Sequence, residues 1–176
     1  MYNRAALPTW EGRFPMENTE KLWYNKENTK RRQLVKKILF VCLGNICRSP
    51  MAEFILKDMA AKAGKSKDLF IASAAVSREE EGNPVYPPAR RELAAHGISC
   101  AGKTDRQITR QDCADFDYIY YMDSSNGRRL RSMFPGETKF QPLLSRDVAD
   151  PWYTGDFQTA YRDIAEGCQR ILEELG

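Results

Sequence analysis

The chain of 176 residues has one histidine, His96, and none of its five cysteines (Cys42, Cys47, Cys100, Cys113 and Cys168) forms a Cys-x-x-Cys pair. A zinc site built from cysteine and histidine is therefore not expected, and no other metal ligand set stands out. No stretch approaches the roughly 18 consecutive apolar residues that span a bilayer, so no membrane partner is expected. The first twenty residues, MYNRAALPTWEGRFPMENTE, hold no apolar run, and a secretory signal is not expected. An odd number of cysteines without an export signal argues against a disulfide framework. Reduced thiols in a cytoplasmic protein are the expectation. There is no internal repeat and no low-complexity segment.

What is present is ordinary for a globular chain. The hydrophobic share is 42% and the charged share 29%, which excludes collagen-like, mucin-like and wholly disordered classes. The length suits one domain. The formal net charge is +3, but it is unevenly placed. Residues 1–36 hold 8 Lys and Arg against 4 Asp and Glu, whereas residues 37–176 hold 19 against 20. The body is thus near neutral, and a nucleic-acid partner is not expected. Residues 1–36 are polar and aperiodic and read as a flexible or loosely docked extension. Trp10 and Trp23 keep docking open.

From residue 37 the pattern alternates between strand and helix. Ile38–Val41 is a short apolar run that reads as a buried strand. A helix is predicted from Ser49 to about Ala63, with Pro50 in its first turn and Gly64 as its stop. Further strands are predicted at Leu69–Ala72, Tyr118–Met122 and Thr138–Leu143, the last weakened by Pro142. Further helices are predicted at Ala89–His96, from a cap at Asp123 or Ser124 to Met133, and over Phe157–Glu174. This order predicts a single α/β domain of three layers, a parallel sheet with helices on both faces. In such sheets ligands sit beyond the carboxyl ends of the strands.

The turn after the first strand is the place to look. Cys42-Leu43-Gly44-Asn45-Ile46-Cys47-Arg48 separates a cysteine from an arginine by five residues. The spacing alone is weak, since Cys100 and Arg106 repeat it without a preceding strand. The context is informative. A loop wrapping into a helix N-terminus aims backbone N–H groups and the helix dipole at one anion. Gly44 permits close backbone approach, and Asn45 tolerates a left-handed conformation. Arg48 offers a planar fork to two phosphate oxygens. Cys42 sits among these positive groups, which favour a thiolate nucleophile. Ser49 is placed to donate a hydrogen bond to the sulfur. Cleavage of a phosphate ester through a cysteinyl-phosphate also needs an acid for the leaving oxygen. Asp150, followed by Pro151, Trp152 and Tyr153, is the candidate, with the two rings flanking a phenol. Asp147 is its local competitor. A turn residue before proline is the plainer reading of Asp150.

The segment VCLGNICRSPMAE with a late DPWYTGDF resembles the low-molecular-weight protein tyrosine phosphatases. The resemblance runs over about residues 37–174 and includes SAA at 73–75, GNP at 82–84, HGI at 96–98, RQIT at 106–109, FDYI at 116–119 and MDSSN at 122–126. It implies a four-stranded parallel sheet with a phosphate-binding loop, residues 42–49, after strand 1. It implies Cys42 as nucleophile, Arg48 as phosphate binder and Asp150 as general acid and then base. Leu43, Gly44, Asn45, Ile46, Cys47 and Ser49 complete the loop. A supporting polar network of Asn45, Ser49, Ser73 and His96 is implied, as is a reversible Cys42–Cys47 disulfide. No cofactor or metal is implied, because backbone amides and arginine carry the charge. A phosphotyrosine protein or small aryl phosphate is the expected substrate, inorganic phosphate the product, and a monomer the working unit.

The chain also departs from the pattern. Where the family often places an aromatic residue after the second strand, this sequence has Ser77-Arg78-Glu79-Glu80-Glu81. One wall of the aromatic slot is missing, and Trp152 and Tyr153 supply the other. Protein-arginine phosphatases share the fold and resemble this chain, with threonine in place of Ile46. Isoleucine there favours an aryl substrate. Arsenate reductases of this fold need cysteines between Asp123 and Phe134, and there are none. A catalytically inactive phosphopeptide-binding module is the rival from another class.

Overall fold

A computed structural model describes residues 35–175. The extension expected at 1–36 lies almost wholly outside the described residues. The elements, in chain order, are β1 (Lys36–Cys42), α1 (Arg48–Lys62), β2 (Leu69–Ala75), α2 (Pro87–Ala95), α3 (Arg110–Asp115), β3 (Tyr118–Tyr121), α4 (Ser124–Met133), β4 (Phe140–Pro142), α5 (Pro151–Thr154) and α6 (Phe157–Leu175). The four strands form one parallel sheet in the order β2-β1-β3-β4. The expected three-layer α/β architecture is the observed one.

The central strand explains the layering. Successive side chains of a strand face opposite ways, so an unbroken apolar run needs cover on both faces. In β1, Ile38, Phe40 and Cys42 pack in one core with Met51, Ile55, Leu93, Ile164 and Cys168 from α1, α2 and α6. Leu39 and Val41 pack in the other with Cys113, Leu130 and Phe134 from α3, α4 and the turn after it. All five β1 positions from Ile38 to Cys42 are buried. Helix α6 lies close over the sheet at Gly167, where a Cβ would meet Leu143 Cγ at 2.5 Å.

Two helices were not expected from the sequence. Helix α3 has only six residues, too few for an apolar period, but Thr109 and Asp112 close a reciprocal capping box on it. Helix α5 is one turn, opened by Pro151 and closed by Gly155 in the left-handed conformation (φ 72°). Strand β4 is shorter than predicted and ends at Pro142, which cannot donate to the ladder. Strand β2 runs three residues further than predicted, to Ala75. That places Ala75 opposite Cys42, at the carboxyl edge where the loop begins.

Candidate active site

Strand β1 delivers Cys42 to the sheet edge, and α1 begins six residues later. Between them the chain wraps into a loop whose turn is made by Asn45, at φ 52°. That left-handed geometry is the one expected of an asparagine here. Among the described residues, the N–H groups of Gly44, Asn45, Ile46 and Cys47 have no protein acceptor. Oriented donors in front of a helix N-terminus form an anion cradle. The loop opens into a cleft of about 210 Å³ lined by Cys42, Arg48, Asp150, Trp152, Tyr153 and Glu80, among others.

Arg48 is the buried cation of this cleft, only 3% exposed. Its Nη1 donates to Asp123 Oδ2 at 2.7 Å and to the Val148 carbonyl at 3.1 Å, and its Nη2 donates to Asp150 Oδ2. Burial opposes the guanidinium charge. Cys42, Asp150 and Asp123 outweigh it and hold the Arg48 pKa above its ordinary value. Asp123 thus does something the sequence did not reveal. It caps α4 through Oδ1, which accepts from Asn126 N, and orients Arg48 through Oδ2. Asp150 caps α5, accepting from Trp152 N, while its other oxygen faces the cleft. The competitor Asp147 is committed elsewhere, accepting from Ser124 N and Oγ, and does not line the cleft.

Beneath the loop runs a buried polar chain. Asn45 Nδ2 donates to Ser49 Oγ at 2.7 Å and to Ser73 Oγ at 2.8 Å. Ser73 Oγ donates in turn to Glu53 Oε2 at 2.6 Å. Ser49 Oγ lies 3.0 Å from Cys42 Sγ. Ser49 Oγ accepts from Asn45 and keeps one proton of its own, within reach of the sulfur at 3.0 Å and of the Ala74 carbonyl at 3.4 Å. The chain ends at Lys103, whose Nζ is 3.0 Å from Glu53 Oε2 and donates to the Ser73 carbonyl. Burial works against the Glu53 carboxylate. Lys103, Lys57 and Ser73 outweigh it and hold its pKa below the ordinary value.

His96 does not belong to this network, a correction to the expectation. It is the C-cap of α2, its ring stacks on Tyr161 at 3.7 Å, and Nε2 lies 3.2 Å from Glu92 Oε1. Its side chain is 41% exposed. Glu53 and Lys103 end the network instead. Neither gave a signal in sequence, since both look like solvated charges and become partners only when the loop between α2 and α3 brings Lys103 to Glu53 of α1 and Ser73 of β2.

Cys42 and Cys47 are both buried and free, as are the other three cysteines. Burial pushes the Cys47 thiol up to about 12, with Cys42 and Asp150 adding to the effect and Arg48 opposing it. Trp152 and Tyr153 stand exposed at the cleft mouth. Trp152 packs on Tyr86, ring centroids 5.0 Å apart, so its ring is braced from behind.

This arrangement of thiol, loop amides, guanidinium and carboxylate fits phosphoryl transfer. A profile of the family described as "Low molecular weight phosphotyrosine protein phosphatase" matches residues 37–176. The chain is 42% identical over 147 residues to the low molecular weight protein-tyrosine-phosphatase YfkJ of Bacillus subtilis, covering 78% of this chain and 94% of that one. The crystal structure of YfkJ superimposes with a TM-score of 0.76, covering 80% of this chain and 94% of that one. SP-PTP, a low molecular weight protein tyrosine phosphatase from Streptococcus pyogenes, gives 0.75 at 41% identity, covering 80% and 93%. DARP, a Drosophila arginine phosphatase, gives 0.70 at 34% identity, covering 78% and 96%.

Proposed function

The chain belongs to the low-molecular-weight phosphotyrosine protein phosphatase family, and we propose that it hydrolyses phosphotyrosine and related aryl phosphates through a phosphorylated Cys42. The reading rests above all on one observation: Cys42, Arg48 and Asp150 converge in a single cleft at the N-terminus of α1. The phosphate dianion sits on the loop amides and the Arg48 fork, which exchanges Asp150 for phosphate oxygens. Cys42 Sγ attacks phosphorus, its thiolate stabilised by the Ser49 hydroxyl 3.0 Å away. The P–O bond to the phenol breaks as Asp150 delivers a proton to the leaving oxygen. Asp150, now ionised, takes a proton from water. That water attacks phosphorus, the P–S bond breaks, and inorganic phosphate and the Cys42 thiolate are released. Arg48 and the loop amides hold the charge on the transferring group, and the reading includes no metal.

Trp152, Tyr153 and Ile46 support an aryl substrate, since together they give the cleft an apolar side for a phenol ring. The working domain in this reading is residues 37–176, the span of the family match, acting as a cytoplasmic monomer. The free cysteines are in keeping with a reducing compartment. Phosphoarginine hydrolysis is the second reading. The likeness to the Drosophila arginine phosphatase and the acidic residues at the cleft favour it, and the apolar Ile46 side chain opposes it.

Turnover of matched phosphotyrosine, phosphoserine and phosphoarginine peptides by one preparation decides between them. Phosphotyrosine is expected to lead by roughly a hundredfold in kcat/KM, the scale of a fitted pocket against an ill-fitting group. The Cys42→Ser protein is expected to turn over none of the three. A lead for phosphoarginine would overturn the tyrosine reading.

A further inference from the structure

Two carboxylates stand where a phosphatase has least obvious use for them. Glu79 and Glu80 line the same cleft as Cys42 and Arg48. The substrate carries a dianionic phosphate, and carboxylates at the mouth repel it. Neither is neutralised: among the described residues no lysine, arginine or histidine pairs with Glu79 or Glu80. Their neighbour Arg78 is directed elsewhere, its Nε donating to Gln107 Oε1. The one cation lining the cleft, Arg48, is buried and already faces Asp123 and Asp150.

Glu80 is also held in place. Its Oε2 accepts from Asn83 Nδ2 at 2.8 Å, and its Cγ lies 3.0 Å from where a Cβ on Gly44 would stand. The side chain therefore leans on the phosphate-binding loop itself. Glu79 beside it is exposed. Trp152 and Tyr153 line the same cleft, so its lining is part aromatic and part anionic.

We propose that Glu79 and Glu80 are specificity-determining residues that select phosphotyrosine flanked by lysine or arginine. The proposal rests on the phosphotyrosine reading above and names its substrate class. The ring lies against Trp152 and Tyr153, and a cationic side chain one or two residues away meets the carboxylates. Two extended residues span about 7 Å, and lysine and arginine side chains reach further. The cation relieves the repulsion between the carboxylates and the phosphate. An acidic flank adds to it.

The test uses three phosphotyrosine peptides that differ only in lysine, alanine or glutamate at the positions flanking the phosphotyrosine. For the unmodified protein, kcat/KM is expected to fall in that order. Roughly tenfold should separate the ends at low salt and shrink as salt is raised. In the Glu79→Gln, Glu80→Gln protein the ratio is expected to fall towards one, and Glu79→Lys, at an exposed position, is expected to reverse the order. Equal turnover of the three peptides by the unmodified protein overturns the proposal, as does a ratio insensitive to salt or unchanged in the double variant. p-Nitrophenyl phosphate has no flank and separates the two levels. Its turnover alongside equal peptide rates sinks the selectivity alone. Failure to turn over both it and every phosphotyrosine peptide sinks the phosphatase reading beneath it. The salt dependence needs no substitution, so it stands even if a variant folds poorly.

Discussion

Asp150 holds two positions at once. One oxygen caps α5 and the other meets Arg48 at the cleft. A carboxyl poised there matters only to a leaving group that needs a proton. Asp150→Ala is therefore expected to slow hydrolysis of tyrosine phosphate by about 10²–10⁴-fold, the usual worth of a general acid. Esters of strongly acidic phenols should be slowed far less. Steady-state rates over a series of aryl phosphates check this, and equal slowing across the series would move the acid elsewhere. Much of this residue-level picture was legible in sequence. Cys42 and Arg48 could be read because strand, glycine-containing turn and helix start are local signals, whereas Asp150 stood out mainly through the resemblance, a turn residue before proline being its plainer local reading. Asn45 could be read because few residues accept positive φ. Glu53 and Lys103 could not, because their pairing is set by tertiary contact over fifty residues of chain. His96 was misplaced because a resemblance carries a residue type to a position without its surroundings.

Among the elements, α4 is coupled to the site through its cap. Asp123 serves the helix with Oδ1 and Arg48 with Oδ2. The two roles separate by substitution. Asp123→Asn keeps an oxygen for the cap but turns a neutral amide toward the guanidinium. Its turnover should drop roughly ten- to hundredfold, the scale of a hydrogen bond between charged groups, with little loss of stability. Asp123→Ala should lose turnover likewise and also about 1 kcal/mol of stability with the cap. Urea denaturation beside kcat/KM for both variants checks the split, and loss of stability in both to the same extent would refute it. Strand β1 was legible from its apolar run, and α1 from Pro50 in its first turn and Gly64 just beyond its end. The short α3 and α5 were not, since six and four residues cannot show a helical period and only their caps mark them.

At the scale of the whole molecule, stability carries a pH signature from one buried acid. Asp105 is 4% exposed, and neither carboxylate oxygen has a hydrogen-bond partner among the described residues. Burial lifts its pKa to about 6; the Lys103 charge opposes this, and Glu81 and Glu80 add to it. The ordinary value is about 3.9, so between about pH 4 and 6 the folded protein keeps a proton that the unfolded chain has lost. The stabilisation is complete below about pH 4 and is lost as pH rises through about 6. Asp105→Asn should therefore be more stable than the unmodified protein at about pH 8, by roughly 1–2 kcal/mol, with the gap about half as large at about pH 5 and closed only below about pH 4. Thermal melts at the two pH values check it, and a variant no more stable at about pH 8 would contradict it.

The net charge of the chain says little about this chemistry. Residues 37–176 are near neutral in sum, and their function lies in how charge is placed. Arg48 and the loop line one cleft together with Glu79 and Glu80, so positive and negative groups meet at a single place. The central claim is that the phosphoryl group passes through Cys42. Rapid acid quench of the protein turning over p-nitrophenyl phosphate, followed by peptide mapping by mass spectrometry, tests it directly. The account predicts a phosphoryl group on the peptide containing Cys42, absent from the Cys42→Ser protein. Undiminished turnover in Cys42→Ser, or a phosphoryl group on another side chain, would contradict it.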